Sequence, residues 1–473
     1  MSIEDKTEYE VLEEGVMSKD DKRRYLILKD PNIYKGIILL ALPVMFNNLL
    51  RTLHDVVDMW VVSLVATPDT FPIAAISITF PVVFVFISLG MGLSIAGTAI
   101  ISQLVGSDQR QEARRYGTNL LMIAIVVGVI LNIIGYVFAP QIILGMGAEG
   151  YVLEKSTAYL RIRSFEMVSL FVFYAFTSIR QSDGDTFTPV IFGVIAIVIN
   201  IILTPIMVLV FDFGVEGAAF ATLIGNTMIM PFVVYQLFFS KSGLTVSFKH
   251  FAITKLVSLD LIRTAIPASF GQSITAVGFY IMNGMILNFG ETTVEAFSVG
   301  NRISSIVLHP VMAMGGVLAA YIGQNIGNAN PERAKEAFRK TMIMSVLIMF
   351  VFSMAMMFGR RPIASIFLSQ NQESLDLAVK YLFYLLIGLP LMAVFQTFIG
   401  AFNGTGHTKY TFIVSVTRLW VLRIPFLVLF NYFTDLGNSG IWTAMLISNF
   451  IIAFVGYFFY RKIDFDPRIA LDI

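Results

Sequence analysis

Arg51-Thr-Leu-His54-Asp55-Val-Val-Asp58 stands inside an otherwise apolar run from Ile37 to Val65. At 100° per residue, positions 51, 54, 55 and 58 fall within one arc of about 100°, so a helix presents all four on one face. The run is long enough to cross about 30 Å of hydrocarbon, which takes roughly 20 helical residues. An ionisable group at membrane depth costs roughly 2.5 kcal/mol or more. These four must therefore face protein or water. Either they hold the fold together or they bind something that crosses.

Eleven further runs of this kind follow, giving spans near 34–64, 71–104, 118–139, 157–180, 188–211, 215–239, 258–289, 295–325, 341–358, 377–401, 410–432 and 438–460. They far exceed the 9–11 residues of a barrel strand, so the spans are helices. Composition agrees: 14% of the residues are charged, against about 25% in soluble domains. The expected fold is an all-α integral membrane protein of twelve transmembrane helices. A net charge of +1 argues against a nucleic-acid partner, and the absence of Cys excludes disulfides and thiolate chemistry. His54, His250, His309 and His407 are too scattered for a His-rich metal site. No Walker A, HExxH, GxSxG or Rossmann signature stands in credible context, so the chain reads as a non-enzyme needing no cofactor. Met1 to Asp30 is polar, with no cleavable signal peptide, so the first span is expected to direct its own insertion.

Most Lys and Arg fall in one alternating set of connections, together with both tails. The opposite set holds Lys155, Arg360 and Arg361. By the positive-inside rule the protein is a multi-pass cell-membrane protein with both termini cytoplasmic. The chain also repeats itself. Ala41-Leu-Pro43 recurs as Ala265-Ile-Pro267. Ile101-Ser-Gln103-Leu-Val-Gly106 recurs as Ile322-Gly-Gln324-Asn-Ile-Gly327, and Gly214-Val-Glu-Gly217 with Asn226 as Gly437-Asn-Ser-Gly440 with Asn449. Six spans separate the copies, so the halves are parallel repeats about an axis along the membrane normal. This divides the chain into a tail (1–33), an N-lobe (34–240), a basic linker (241–257), a C-lobe (258–460) and a second tail (461–473). Such a repeat suits a transporter whose halves rock about a central substrate site. The major facilitator fold has the same count, but its loop signature is missing between 105 and 117.

Asp58 is the sharpest candidate for chemistry. An acid there can change protonation near physiological pH, because desolvation and neighbouring cations act on it in opposite senses. Arg51 and His54, each one turn before an acid, are the expected partners of Asp55 and Asp58. The alternative is an internal Arg–Asp pair that only docks the first span. Asn200 and Thr204 share a face of the fifth span ahead of Pro205, which frees a carbonyl near residue 201; Thr222 and Asn226 share a face of the sixth. These oxygen-bearing groups suit a hard cation beside Asp58, though interhelical hydrogen bonding would account for them equally. Arg161, Arg163 and Glu166 are expected to snorkel at the outer mouth of the fourth span. In the second half Arg302, Arg418 and Arg423 are intramembrane cations, and no carboxylate appears within those spans. They either attract an anionic part of a substrate or lipid, or pair with backbone carbonyls.

These motifs, with Val57-Asp58-Met-Trp60, Gly184-Asp-Thr-Phe-Thr-Pro189, Asn200-Ile-Ile-Leu-Thr-Pro205 and Gly214-Val-Glu-Gly-Ala-Ala-Phe-Ala-Thr222, resemble the multidrug and toxic compound extrusion (MATE) transporters, in particular the DinF-like prokaryotic branch, over about 34–460. The resemblance implies a V-shaped molecule with a central cleft, working as a monomer among membrane lipids. It implies export of small amphipathic, often cationic, compounds against Na⁺ or H⁺. It places the coupling acid on Asp58, with Asn200 and Thr222 beside it and no metal beyond a possible Na⁺. Three positions depart. Thr204 stands where the branch usually has Asp. Arg51 and Asp55 stand where relatives commonly carry neutral residues, as a paired insertion that retunes Asp58. The second-lobe acids of the NorM-like branch have no match. The runner-up reading is a lipid or lipid-linked sugar flippase of the same wider superfamily.

Overall fold

The structure, a computed structural model, describes residues 18–65, 71–247, 254–368 and 371–467. Parts of the expected tails (1–17 and 468–473) and of the linker (248–253, with His250) lie outside them. Among the described residues, twelve helices are long and apolar enough to span a bilayer: Ile33–Ser63, Pro72–Gly106, Arg110–Val137, Gly150–Ser182, Phe187–Val210, Gly214–Phe239, Lys255–Leu287, Glu291–Gly327, Pro331–Ser365, Gln372–Gly404, Thr408–Phe433 and Asn438–Tyr460. They match the expected spans in order. The third, fourth, ninth and tenth run past their apolar runs into polar turns. In the ninth and tenth those turns are capped: Asn330 accepts from the Arg333 amide and Asn371 from that of Ser374. A short helix not expected from the apolar pattern, α1 (Lys19–Leu28), precedes the first span and is capped by Ser18.

Large apolar side chains such as Phe232, Phe358, Phe433 and Phe454 point outward along the spans. This is the arrangement a bilayer requires, where hydrocarbon is the solvent. The interior is built by two interlocked halves. The start of the first span (Ile33, Ile37, Leu40, Ala41) packs with Val311, Leu318 and Phe398 of the second half. Its far end (Val61, Val62) packs with Val208 and Ala218 of the first half. The seventh span does the converse: Val257, Leu261 and Ala265 join the first half's core, and Met282 and Ile286 the second's. Pro43 and Pro267 sit inside these two crossing helices, where a missing backbone donor lets a helix bend.

The repeated Gln and Gly residues explain how the halves meet. A Cβ on Gly106 would stand 2.0 Å from the Gln324 carbonyl oxygen, and one on Gly327 would stand 1.9 Å from that of Gln103. Gln103 Nε2 donates to the Gly404 carbonyl (3.4 Å) and Gln324 Nε2 to that of Ser182 (2.6 Å). Each copy of the motif thus uses a glycine for close approach and a glutamine to satisfy a helix-end carbonyl of the opposite half. α1 lies across this junction. Arg23 pairs with Asp185 (3.1 Å), Arg24 with Asp108 (2.9 Å), and Asp20 accepts from Ser242 and the Gly243 amide (both 2.7 Å). These hydrogen bonds and Arg23 hold the Asp20 carboxyl low against the upward push of burial. On the other half, Arg333 and Asn325 donate to the Ile27 carbonyl (3.1 and 3.2 Å). The side bearing the basic loops is therefore shut.

Candidate functional site

The first, fifth and sixth spans bring the expected cluster together. Asp58 is largely buried. Its Oδ1 lies 2.8 Å from the Thr204 hydroxyl, and its Oδ2 lies 3.3 Å from His54 Nε2. The same hydroxyl is 3.1 Å from Asn200 Oδ1, while Asn200 Nδ2 donates to Thr222 Oγ1 (2.9 Å). Thr222 in turn donates to the Ala218 carbonyl (3.0 Å). The backbone follows the sequence: Pro205 ends the α-helical ladder and the next turn, Ile206–Val210, is π-helical. Three oxygens, on Asp58, Thr204 and Asn200, converge with one hydroxyl proton among them. Such an oxygen set, carrying one negative charge, suits a hard cation or a proton.

The Arg51–Asp55 pair does not form. The Arg51 guanidinium lies against the Tyr174 hydroxyl, and Asp55 instead meets His54 Nδ1 at 3.3 Å. A cation one turn before its acid is the weaker orientation against the helix dipole, and the Asp55 side chain is 72% exposed, so hydration competes. His54 thus bridges both acids. Thr52, next to Arg51, meets His309 Nδ1 of the eighth span at 3.2 Å, tying this face to the second half.

Arg163 and Glu166 do not snorkel. Glu166 is buried and Arg163 only slightly exposed; the two form an ion pair, and Asn226 Nδ2 donates to Glu166 Oε1 (2.8 Å). Asn226 is therefore engaged with Glu166, away from Asp58. Neutralisation by Glu166 removes the need for Arg163 to reach water, and Arg163 lies within electrostatic reach of Asp58. The sequence signal for this pair was the i, i+3 spacing alone. Arg161 does turn outward, over the Tyr136 ring and carbonyl.

In the second half, Arg418 and Arg423 line a cavity of about 90 Å³, and Arg302 is exposed and does not line it. Arg423 donates to Ser448 (3.1 Å) and Asn449 (2.7 Å). Arg418 sits 4.6 Å above the Phe395 ring with Met392 sulfur at 3.3 Å. No carboxylate pairs with either among the described residues.

A family model, MatE, matches this chain twice, over residues 43–206 and 267–429. The chain belongs to the MatE family. As a MatE protein it resembles the probable multidrug resistance protein YoeA of Bacillus subtilis, at 25% identity over 88% of this chain and 90% of that one. It also resembles the FAD transporter of Shewanella oneidensis, at 24% identity over 93% and 97%. The solved outward-facing structure of a multidrug resistance MATE family transporter shares the fold with a TM-score of 0.88, at 24% identity over 94% of this chain and 98% of that one. This MatE protein is accordingly a multi-pass membrane transporter of the multidrug efflux family, and its repeat offset is that of the two family matches.

Proposed function

We propose that this MatE protein is a secondary antiporter that exports small amphipathic organic compounds in exchange for Na⁺ or H⁺, coupled through Asp58. The observation that carries this reading is the largely buried Asp58 carboxylate, held by Thr204 and His54, with Asn200 and Thr222 completing the chain of polar groups. Arg51 is turned away to Tyr174, so the close ion-pairing partner of Asp58 among the described residues is His54, whose own charge can change with pH. Asp55 and His54 stand at its mouth as the route by which a cation or proton reaches it. The family's names for multidrug resistance and export support an amphipathic cargo. Residues 34–240 and 258–460 serve as the two lobes, joined by the linker 241–257, in a monomer. With the basic loops and both termini in the cytoplasm, the Gln–Gly junction and α1 close the cytoplasmic side. Alternating access requires them to part. The test is substrate efflux from proteoliposomes with Na⁺ and H⁺ gradients imposed separately. One gradient accelerates efflux; no response to either would overturn antiport.

Arg418 and Arg423 at the second cavity favour a second reading, flipping of an anionic lipid or lipid-linked sugar. Transfer of a fluorescent anionic lipid between leaflets of the same proteoliposomes separates the two.

A further inference from the structure

Counting along the repeat places the second cavity. The two family matches start 224 residues apart (267 less 43) and end 223 apart (429 less 206). The first-span offset carries Asp58 to Met282. The later offset carries Asn200 to Arg423, Thr222 to Met445 and Asn226 to Asn449. All four of these residues line the cavity of the second half. The cavity is thus the counterpart of the Asp58 site, with the carboxylate replaced by a thioether and an amide by a guanidinium. Its polarity is inverted.

Local backbone makes the inversion effective. On an α-helix, residues 418 and 423 would point about 140° apart. Here Thr417–Arg423 is π-helical, ahead of Pro425, which cannot donate to the Val421 carbonyl. The i→i+5 ladder brings residues five apart onto one side, so both guanidinium groups reach one cavity. Both are buried, at 6% and 5% exposure, and their electrostatic neighbours are each other and Tyr381. Two buried donors on this cavity, Arg418 Nε and Trp442 Nε1, have no acceptor. Two cations and a surplus of donors without an acid are costly unless an anion arrives. Tyr381 and Trp442 stack beneath at 4.2 Å, giving the cavity an aromatic wall. Its volume of about 90 Å³ is small beside the roughly 300–1,000 Å³ of whole-ligand sites. It has room for an anionic group and not for a whole drug.

We propose that this cavity is an anion subsite, in which Arg418 and Arg423 hold the phosphate or carboxylate of an organic anion against the aromatic wall of Tyr381 and Trp442, while the rest of the molecule stays outside it. This deepens the export reading by naming a substrate class, and it rests on that reading only for transport, not for binding. The test is therefore an equilibrium titration, which needs no gradient. The full chain in phosphatidylcholine nanodiscs is titrated with 1-naphthyl phosphate and with 1-naphthol, following naphthyl fluorescence. The phosphate binds at least ~tenfold tighter than the alcohol, the scale of one charge-assisted hydrogen bond. Arg418→Met and Arg423→Met each remove that preference, whereas Arg418→Lys, which keeps the charge and guards against a folding defect, retains part of it. Arg302→Met, exposed and off the cavity, leaves binding unchanged, and because the titration needs no gradient a failure of cation coupling is read apart from a failure of the subsite. Repeating the titration with phosphatidylglycerol in the discs identifies the source: competition assigns the subsite to a lipid headgroup, and no competition to a soluble anion. Equal binding of phosphate and alcohol, or a preference that survives both Met variants, overturns the proposal.

Discussion

Thr204→Val probes the coupling site with little change of shape. The Thr204 hydroxyl is fully buried and lies 2.8 Å from Asp58 Oδ1 and 3.1 Å from Asn200 Oδ1. Valine keeps the volume but removes both contacts. A hydrogen bond to a charged group contributes about 1.5–3 kcal/mol. At about 1.4 kcal/mol per tenfold, the coupling cation should bind roughly 10- to 150-fold more weakly. The assay is the initial rate of efflux from proteoliposomes against cation concentration, or against pH if the proton couples. The half-saturating value moves by that factor while the maximal rate stays within about threefold, a modest spread on this energy scale. Thr204→Ser restores the hydroxyl and should stay near wild type. A valine variant with an unchanged cation dependence would refute the placement of Thr204 in the coupling site.

Breaking the Arg163–Glu166 pair with Glu166→Gln should destabilise the protein by about 3–5 kcal/mol, whereas the double change Arg163→Met with Glu166→Met should recover most of that loss in detergent melts. Gly106→Ala places a Cβ 2.0 Å from the Gln324 carbonyl oxygen and should force the basic-loop side apart. Spin labels on cysteines introduced at Gln111 and Lys335, in a chain with no native Cys, should then report a longer distance than in the unaltered parent. Asp183, at the end of the fourth span, is buried beside Arg110, and burial raises its carboxyl from 3.8 to about 6. Its neutral form stabilises the fold below pH 3.8, that contribution fades as pH rises through about 6, and above it the charged form is a cost. Asp183→Asn should therefore raise stability above pH 6, by up to about 3 kcal/mol, and leave it unchanged near pH 3.8, as read by melting against pH.

The span count and the repeat were legible in the chain, because apolar length and helical spacing act locally, whereas the meeting of Asp58 with Asn200, Thr204 and Thr222 was implied by the family resemblance. What was not legible depends on neighbours across the fold. Arg51 and Asp55 have the spacing of a pair, yet the Tyr174 hydroxyl and water compete for them. Arg163 and Glu166 read as surface charges until Asn226 of another span is placed beside them. Arg418 and Arg423 share a cavity only because the helix widens ahead of Pro425, a backbone change that a 100° periodicity misses. α1 escaped notice because ten mostly polar residues carry no spanning signal, although Ile27 is fully buried at the junction.

Whether Asp58 links cation entry to export is decided by comparing wild type with Asp58→Asn in one proteoliposome preparation. Downhill substrate exchange and gradient-driven efflux are measured side by side. The variant should retain its folding and its downhill exchange but no longer respond to an imposed Na⁺ or H⁺ gradient. Gradient-driven efflux at the wild-type rate in the variant would contradict that link.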